Sequence, residues 1–197
     1  MILQNFLASF AEKRVIYIVW VRKIYKFPHM EKVTILFVCH GNICRSPMAE
    51  FVMKDKLMRA GIGNDGVKVE DRFEVASAAT STEEIGNPVY PPARRMLNAH
   101  GIDCSGKHAR QMTVRDYDYY DYIILMDRNN LRNLRWILPR DIYEKEMAEP
   151  CKVSLLMEWA GASRDVADPW YTGDFQATWD DVNVGCDAML DKLTTHS

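Results

Sequence analysis

The chain has 197 residues, with 25 Lys and Arg against 27 Asp and Glu and a formal charge of −2. That length fills one α/β core rather than two, and the near balance of charge excludes the broad basic field that gathers nucleic acid or anionic membrane, so an anionic ligand has to be held by local geometry. Five cysteines, an odd number with no recognisable secretory signal, exclude a disulfide scaffold and point to a reducing compartment, the cytosol.

Residues 1–29 contain the apolar run Val15 to Val21. It is shorter than the ~20 residues a bilayer span needs, and Glu12, Lys13 and Arg14 precede it with no small-residue cleavage site after it, unlike a signal peptide. They are read as an N-terminal extension to a single domain covering residues 30–197. From Val33 onward short β-rich runs alternate with longer helical stretches, the signature of a parallel sheet with crossover helices. Val33 to Val38 is an unbroken apolar run, as expected of a central strand covered on both faces. Ser46 reads as a helix N-cap with Pro47 in the first turn and Glu50 near its third position, and Gly61 ends that helix.

A second strand fits Phe73 to Ala76, and a helix starts near Pro91 and Pro92 and stops at Gly101. Asp121 to Met126 is a third strand, followed by a polar helix from Arg128 to Trp136. Val153 to Leu156 fits a fourth strand, although LLMEWA suits a helical turn equally well; Asp174 to Leu193 is an amphipathic closing helix. The expected fold is α/β, a three-layer sandwich with a central four-stranded parallel sheet flanked by helices and a phosphate-binding loop after the first strand.

In such sheets ligands sit beyond the carboxyl ends of the strands, where loops meet helix N-termini. VCHGNICRSP, residues 38–47, lies at that position. Successive backbone N–H groups in a tight loop backed by a helix N-terminus make an anion-binding nest, and Gly41 and Asn42 tolerate the left-handed conformations such a loop needs. A thiol at Cys39, under the same positive potential, is favoured as the nucleophilic thiolate. Arg45 returns to the same rim, where its planar fork can bind two phosphate oxygens and stabilise transition-state charge. No Gly-Lys-Ser or Gly-Lys-Thr ends the loop, which disfavours ATP.

CHGNICRSPMAE closely resembles the active-site signature of the low-molecular-weight protein tyrosine phosphatases, and VASAATST, HGIDCSGKHARQMT, YDYIILMDRNNL and ADPWYTGDF follow in the family's order from Val33 to the C-terminus. The resemblance implies a phosphomonoester hydrolase that works through a cysteinyl-phosphate, with phosphotyrosine-containing proteins as partners and no metal, cofactor, nucleic acid or stable membrane span, as a monomer or weak homodimer. It assigns Cys39, Arg45 and Asp168 to catalysis, with Asp168 as general acid, and His40, Gly41, Asn42, Ile43, Cys44 and Arg45 to the phosphate-binding loop. Asn42 and Ser77 match residues that tie that loop by hydrogen bonds, and Ser46 either joins them or helps the thiolate leave. Trp170 and Tyr171 can wall the slot that receives an aromatic ring, and Cys44 matches a second cysteine able to form a disulfide with Cys39.

Three positions depart from the family pattern. Lys107 followed by His108 stands where many members have a supporting histidine, Glu83 stands where an aromatic often flanks the slot, and His40 is a variable loop position with no catalytic role. Protein arginine phosphatases of the same family have Thr at the position of Ile43, whose apolar side chain favours phosphotyrosine. Arsenate reductases share the loop but relay electrons through two nearby cysteines, whereas Cys104, Cys151 and Cys186 are far apart in sequence. A non-enzymatic phosphate-binding module would not need Cys39, Arg45 and Asp168 together.

Overall fold

The computed structural model describes residues 32–195; the extension read at residues 1–29 lies outside them. β1 (Val33–Cys39), β2 (Phe73–Ala79), β3 (Tyr122–Leu125) and β4 (Val153–Leu155) form one parallel sheet in the order β2-β1-β3-β4. The chain first steps from β1 to β2 and then returns to the other side of β1. The loop leaving β1 therefore opens at the switch point of the sheet, where a crevice forms beyond the carboxyl ends.

Side chains of a central strand alternate between faces. Ile35 and Phe37 of β1 join Tyr122 and Ile124 of β3 in one core, while Leu36 and Val38 join Ile123 and Leu125 in the other. The first core is closed by α1 (Arg45–Arg59), α2 (Pro91–Ala99), the short α6 (Leu156–Trp159) and α8 (Phe175–Thr195); the second by α3 (Val114–Tyr119), α4 (Arg128–Asn133) and α5 (Arg140–Ala148). The result is the expected three-layer sandwich. A Cβ on Gly185 would stand 2.5 Å from Leu156 Cγ, so the absence of a side chain is what lets α8 lie against α6. No helix among the described residues is long and apolar enough to cross a membrane.

Several boundaries differ from the sequence reading. β2 runs on from Ala76 to Ala79 because Ser77, Ala78 and Ala79 pair with Phe37, Val38 and Cys39. Asp121 is not in β3; its carboxylate accepts the Thr34 amide at 3.0 Å. The polar helix after β3 splits into α4 and a 3-10 turn at Leu134–Trp136. Both readings of the fourth strand hold in part, since β4 stops at Leu155 and LMEW forms α6. Ser46 is not an N-cap: α1 starts at Arg45 with Cys44 at the cap, and the Ser46 hydroxyl is engaged elsewhere. The polar helices α3 and α5, and the short α7 (Pro169–Thr172), fall where the sequence pattern gives no element. From α5 the buried Glu146 accepts the amides of Cys151 at 3.0 Å and Val153 at 3.2 Å, which fixes the start of β4.

Candidate active site

The loop after β1 has its carbonyls turned outward. Cys39 O accepts from Thr80 N, His40 O from Ser81 N, Ile43 O from Tyr90 N and Cys44 O from Met48 N. In a planar trans peptide the N–H points away from the preceding C=O, so the amides of His40, Gly41, Cys44 and Arg45 are directed away from those outer partners, into the loop. That is the nest expected of an oxyanion site. Asn42 has φ 57 and so carries the left-handed turn. Gly41 does not share it; its need for glycine is the approach of Glu84, whose Cγ would lie 3.1 Å from a Cβ there.

Cys39 sits at the floor, with the Asn42 amide donating to Sγ at 3.3 Å and Ser46 Oγ 3.0 Å from Sγ. Asn42 Nδ2 donates to both Ser46 Oγ at 2.9 Å and Ser77 Oγ at 2.8 Å, while its Oδ1 accepts the Arg110 amide at 3.2 Å. Ser77 in turn donates to Glu50 Oε2 at 2.6 Å. Glu50 is buried and holds Lys107 Nζ at 2.8 Å and Lys54 Nζ at 2.5 Å. Burial works against the Glu50 carboxylate, but Lys107 and Lys54 outweigh it and hold it below the ordinary range. Lys107 also donates to Ser77 O at 3.1 Å, so it is the ammonium of Lys107 that reaches the loop support. The His108 ring faces outward, with Nδ1 2.9 Å from Gly86 O.

Arg45 projects from the start of α1 with its side chain only 4% exposed. Its Nη1 lies 2.5 Å from Asp127 Oδ2 and its Nη2 2.5 Å from Asp168 Oδ2. Burial opposes the charge of Arg45, and Cys39, Asp127 and Asp168 more than offset that, raising its pKa further. Asp127 lies two residues past β3 and caps α4 through Asn130 N at 2.6 Å. The strand end followed by an N-cap pattern marks its place, although nothing local marks its link to Arg45. Asp168 caps α7 by accepting Trp170 N at 3.0 Å on its other oxygen.

These groups meet in a pocket of about 360 Å³ lined by Cys39, His40, Gly41, Ile43, Cys44, Arg45, Glu83, Glu84, Asp168, Trp170 and Tyr171. Trp170 and Tyr171 are largely exposed at its rim, and the Trp170 ring leans on Tyr90 with centroids 5.6 Å apart. Glu83 lies 3.0 Å from His40 Nε2, so the position where an aromatic often flanks the slot carries a carboxylate paired to the loop. Cys44 is buried beside Cys39; burial, then the charges of Cys39 and Asp168, push its thiol up to about 12. Ser77 and Asn42 support the loop from below and do not line the pocket. A sulfur nucleophile, a buried guanidinium and a carboxylate facing the same space have the parts needed for transfer of a phosphoryl group to sulfur and then to water.

The family model described as low molecular weight phosphotyrosine protein phosphatase matches residues 34–197. Low molecular weight protein-tyrosine-phosphatase YfkJ of Bacillus subtilis is 34% identical over 163 residues, 82% of this chain and 96% of that one. The crystal structure of YfkJ aligns with a TM-score of 0.73 at 31% identity, covering 85% of this chain and 98% of that one. The low molecular weight phosphotyrosine protein phosphatase of Gallus gallus is 36% identical over 164 residues, 81% of this chain and 94% of its own. A solved Drosophila arginine phosphatase aligns with a TM-score of 0.66 at 25% identity, covering 81% and 96% of the two chains.

Proposed function

The chain belongs to the low-molecular-weight phosphotyrosine protein phosphatases, and we propose that it hydrolyses phosphotyrosine in protein substrates with Cys39 as nucleophile, Arg45 as phosphate clamp and Asp168 as general acid and base. The Cys39 thiolate attacks phosphorus, the P–O bond to the tyrosine breaks, and Asp168 gives its proton to the departing phenolate oxygen. The Asp168 carboxylate then takes a proton from water, the resulting hydroxide attacks phosphorus, and the P–S bond breaks to release phosphate and the thiolate. A positioned acid contributes ~10²–10⁴ in rate. Asn42 donates to Ser46 Oγ, which leaves the hydroxyl proton of Ser46 for Cys39 Sγ or Ala78 O. Ser46 thus belongs to the loop support, and with its proton turned to Cys39 Sγ it stabilises the leaving thiolate.

The observation that carries this assignment is the convergence of Cys39, Arg45 and Asp168 on one pocket whose rim is Trp170 and Tyr171. The aromatic rim and the apolar Ile43 suit a phosphorylated ring. Similarity to an arginine phosphatase keeps phosphoarginine as the second reading. The five free cysteines support action in a reducing compartment, the cytosol, and nothing in the chemistry calls for a second subunit, so the chain acts as a monomer or weak homodimer on phosphoproteins.

The test is hydrolysis of phosphotyrosine, phosphoarginine and phosphoserine peptides by the purified protein, with preference for phosphotyrosine expected. Faster release from phosphoarginine would replace the substrate assignment. Cys39→Ser should abolish turnover while retaining phosphate binding, because the loop amides and Arg45 remain; substantial residual turnover would remove Cys39 as nucleophile.

A further inference from the structure

The segment that carries Asp168 has little structure of its own. It lies between α6 and α8, and α7 within it is four residues long. Asp168 itself touches Arg45 Nη2, but a phosphate dianion competes for that same guanidinium. When substrate takes Arg45, the acid must be held in place by something else.

Ala167, the residue before Asp168, is gripped at both of its backbone polar groups by α8. Asp181 Oδ2 accepts the Ala167 amide at 2.9 Å, and Thr178 Oγ1 donates to the Ala167 carbonyl at 2.9 Å. Thr178 and Asp181 stand three residues apart on one face of the helix, and both are buried. The other Asp181 oxygen is 2.5 Å from Arg164 Nη2, which balances its charge and leaves Oδ2 to the amide. On the opposite side the Val166 amide donates to Met126 O at 2.9 Å. Met126 directly precedes Asp127, the residue that orients Arg45. The acid segment is thus fastened between α8 and the strand end that sets the clamp.

We propose that Thr178 and Asp181 are positioning residues for the general acid: by holding both polar groups of Ala167 they fix where the Asp168 carboxylate stands relative to Arg45 and the leaving oxygen. This rests on Asp168 being the acid. A displacement of about 1 Å in such a group can cost ~10²-fold in rate, and in kcat/KM, which reads the steps up to release of the phenol, the cost falls on donation of the proton. A phenolate that is a poor leaving group needs it; an already acidic one does not.

The experiment compares kcat/KM for phenyl phosphate and 2,4-dinitrophenyl phosphate in Asp181→Leu, Thr178→Val and Thr178→Ser, with inhibition by inorganic phosphate measured alongside; leucine is chosen because asparagine would still accept the Ala167 amide. Asp181→Leu and Thr178→Val should each lose about tenfold to hundredfold on phenyl phosphate and no more than about twofold on the dinitrophenyl ester, with phosphate inhibition unchanged. Thr178→Ser, which keeps the donor, should behave as the parent protein. In an Asp168→Asn background the Asp181→Leu change should add almost nothing. Equal losses on both esters, or no loss on phenyl phosphate, would overturn the positioning role. Should Asp181→Leu fail to fold, the valine and serine pair at Thr178 decides the matter by the same criteria. If Asp168→Asn itself loses equally on both esters, the acid assignment fails and the positioning role with it; if Asp168→Asn is selective and the α8 variants are not, only the positioning role fails.

Discussion

Replacing Lys107 by Met removes the ammonium that sits under the phosphate-binding loop while keeping most of the side-chain volume. The side chains of Lys107 and Glu50 are 13% and 5% exposed, and their charges are 2.8 Å apart. Removing one partner of a fully buried pair costs ~3–5 kcal/mol when the remaining charge is left alone. Glu50 is not left alone: Lys54 stays 2.5 Å from Oε1, though that lysine is 45% exposed and therefore screened, and Ser77 still donates at 2.6 Å. The expected loss is about 2 kcal/mol, between the value for an exposed pair and that for a stripped buried one.

Two opposing shifts meet at this contact. Burial pulls the Lys107 ammonium below its ordinary value despite Glu50, whereas the two lysines outweigh burial at Glu50 and hold the carboxylate low. The carboxylate governs the acid side. Because its folded pKa is depressed, its contribution is present above the unfolded value of ~4.3 and is lost as pH falls through the folded one. Urea unfolding at pH 7 and pH 4 should therefore show a midpoint decrease with unchanged slope at pH 7 and a smaller one at pH 4. Loosening of Ser77 and Asn42 should also weaken phosphate inhibition. A stability loss of equal size at both pH values would show that Lys107 acts through packing of its methylenes, and no loss at pH 7 would refute the ion-pair account outright.

Asp127→Asn keeps the cap on Asn130 N but takes away the anion 2.5 Å from Arg45; a hydrogen bond to a charged partner is worth ~1.5–3 kcal/mol, so kcat/KM should fall about tenfold or more, and an unchanged value would show that Arg45 needs no second carboxylate. Peroxide should inactivate the enzyme by oxidising Cys39 to a sulfenic acid, which the Cys44 thiol then converts to a disulfide with loss of water. Cys44→Ser should keep its turnover but lose most of the activity that a dithiol restores, and because the Cys44 thiol is pushed up to about 12, disulfide formation in the parent should quicken as pH rises; full recovery in the serine variant would make Cys44 a packing residue. Gly185→Ala should cost ~1–3 kcal/mol, since its Cβ would meet Leu156 Cγ at 2.5 Å; a thermal midpoint equal to the parent's would show that α6 yields at no cost.

The features legible in sequence are those whose signal is local. β1 is an apolar run, and the loop and Asp168 stand in short motifs with turn and strand-end chemistry. The helices α3 and α5 have polar sequences around a few apolar contacts, Tyr117 in one and Ile142 and Tyr143 in the other, too few for periodicity to register. Ser46 followed by Pro47 matches the pattern of a helix start, yet its hydroxyl is taken by Cys39 and Asn42, and the cap falls two residues earlier, at Cys44, without a side-chain hydrogen bond. Asp127 and Glu50 do not stand out in the sequence as parts of the site, and Lys107 stands out only as a departure from a histidine, because each acts on a residue distant in the chain: Asp127 and Arg45 are separated by 82 positions. A carboxylate at a strand end reads as a cap, and only the sheet order reveals that this strand end abuts the loop.

The phosphate-binding loop is short and holds a non-glycine residue in the left-handed region, a conformation that costs ~1–3 kcal/mol unless its surroundings enforce it. At Asn42 the enforcement comes from three directions. Ser46 belongs to α1, Ser77 to β2, and the Arg110 amide to the segment after α2, and all three bind the one carboxamide. Glycine at this position would satisfy φ 57 more easily but would release all three elements, and the outward carbonyls that aim the amides inward would lose their frame. Asparagine suits the position because it tolerates αL and carries both donor and acceptor. The loop is thereby shaped by the sheet and its crossovers rather than by its own sequence. Arg45 is set by β3 through Asp127, and the segment before Asp168 by Met126 and α8. The pocket's geometry is consequently a property of the whole strand order β2-β1-β3, in which each strand end supplies one fixed point around the sulfur.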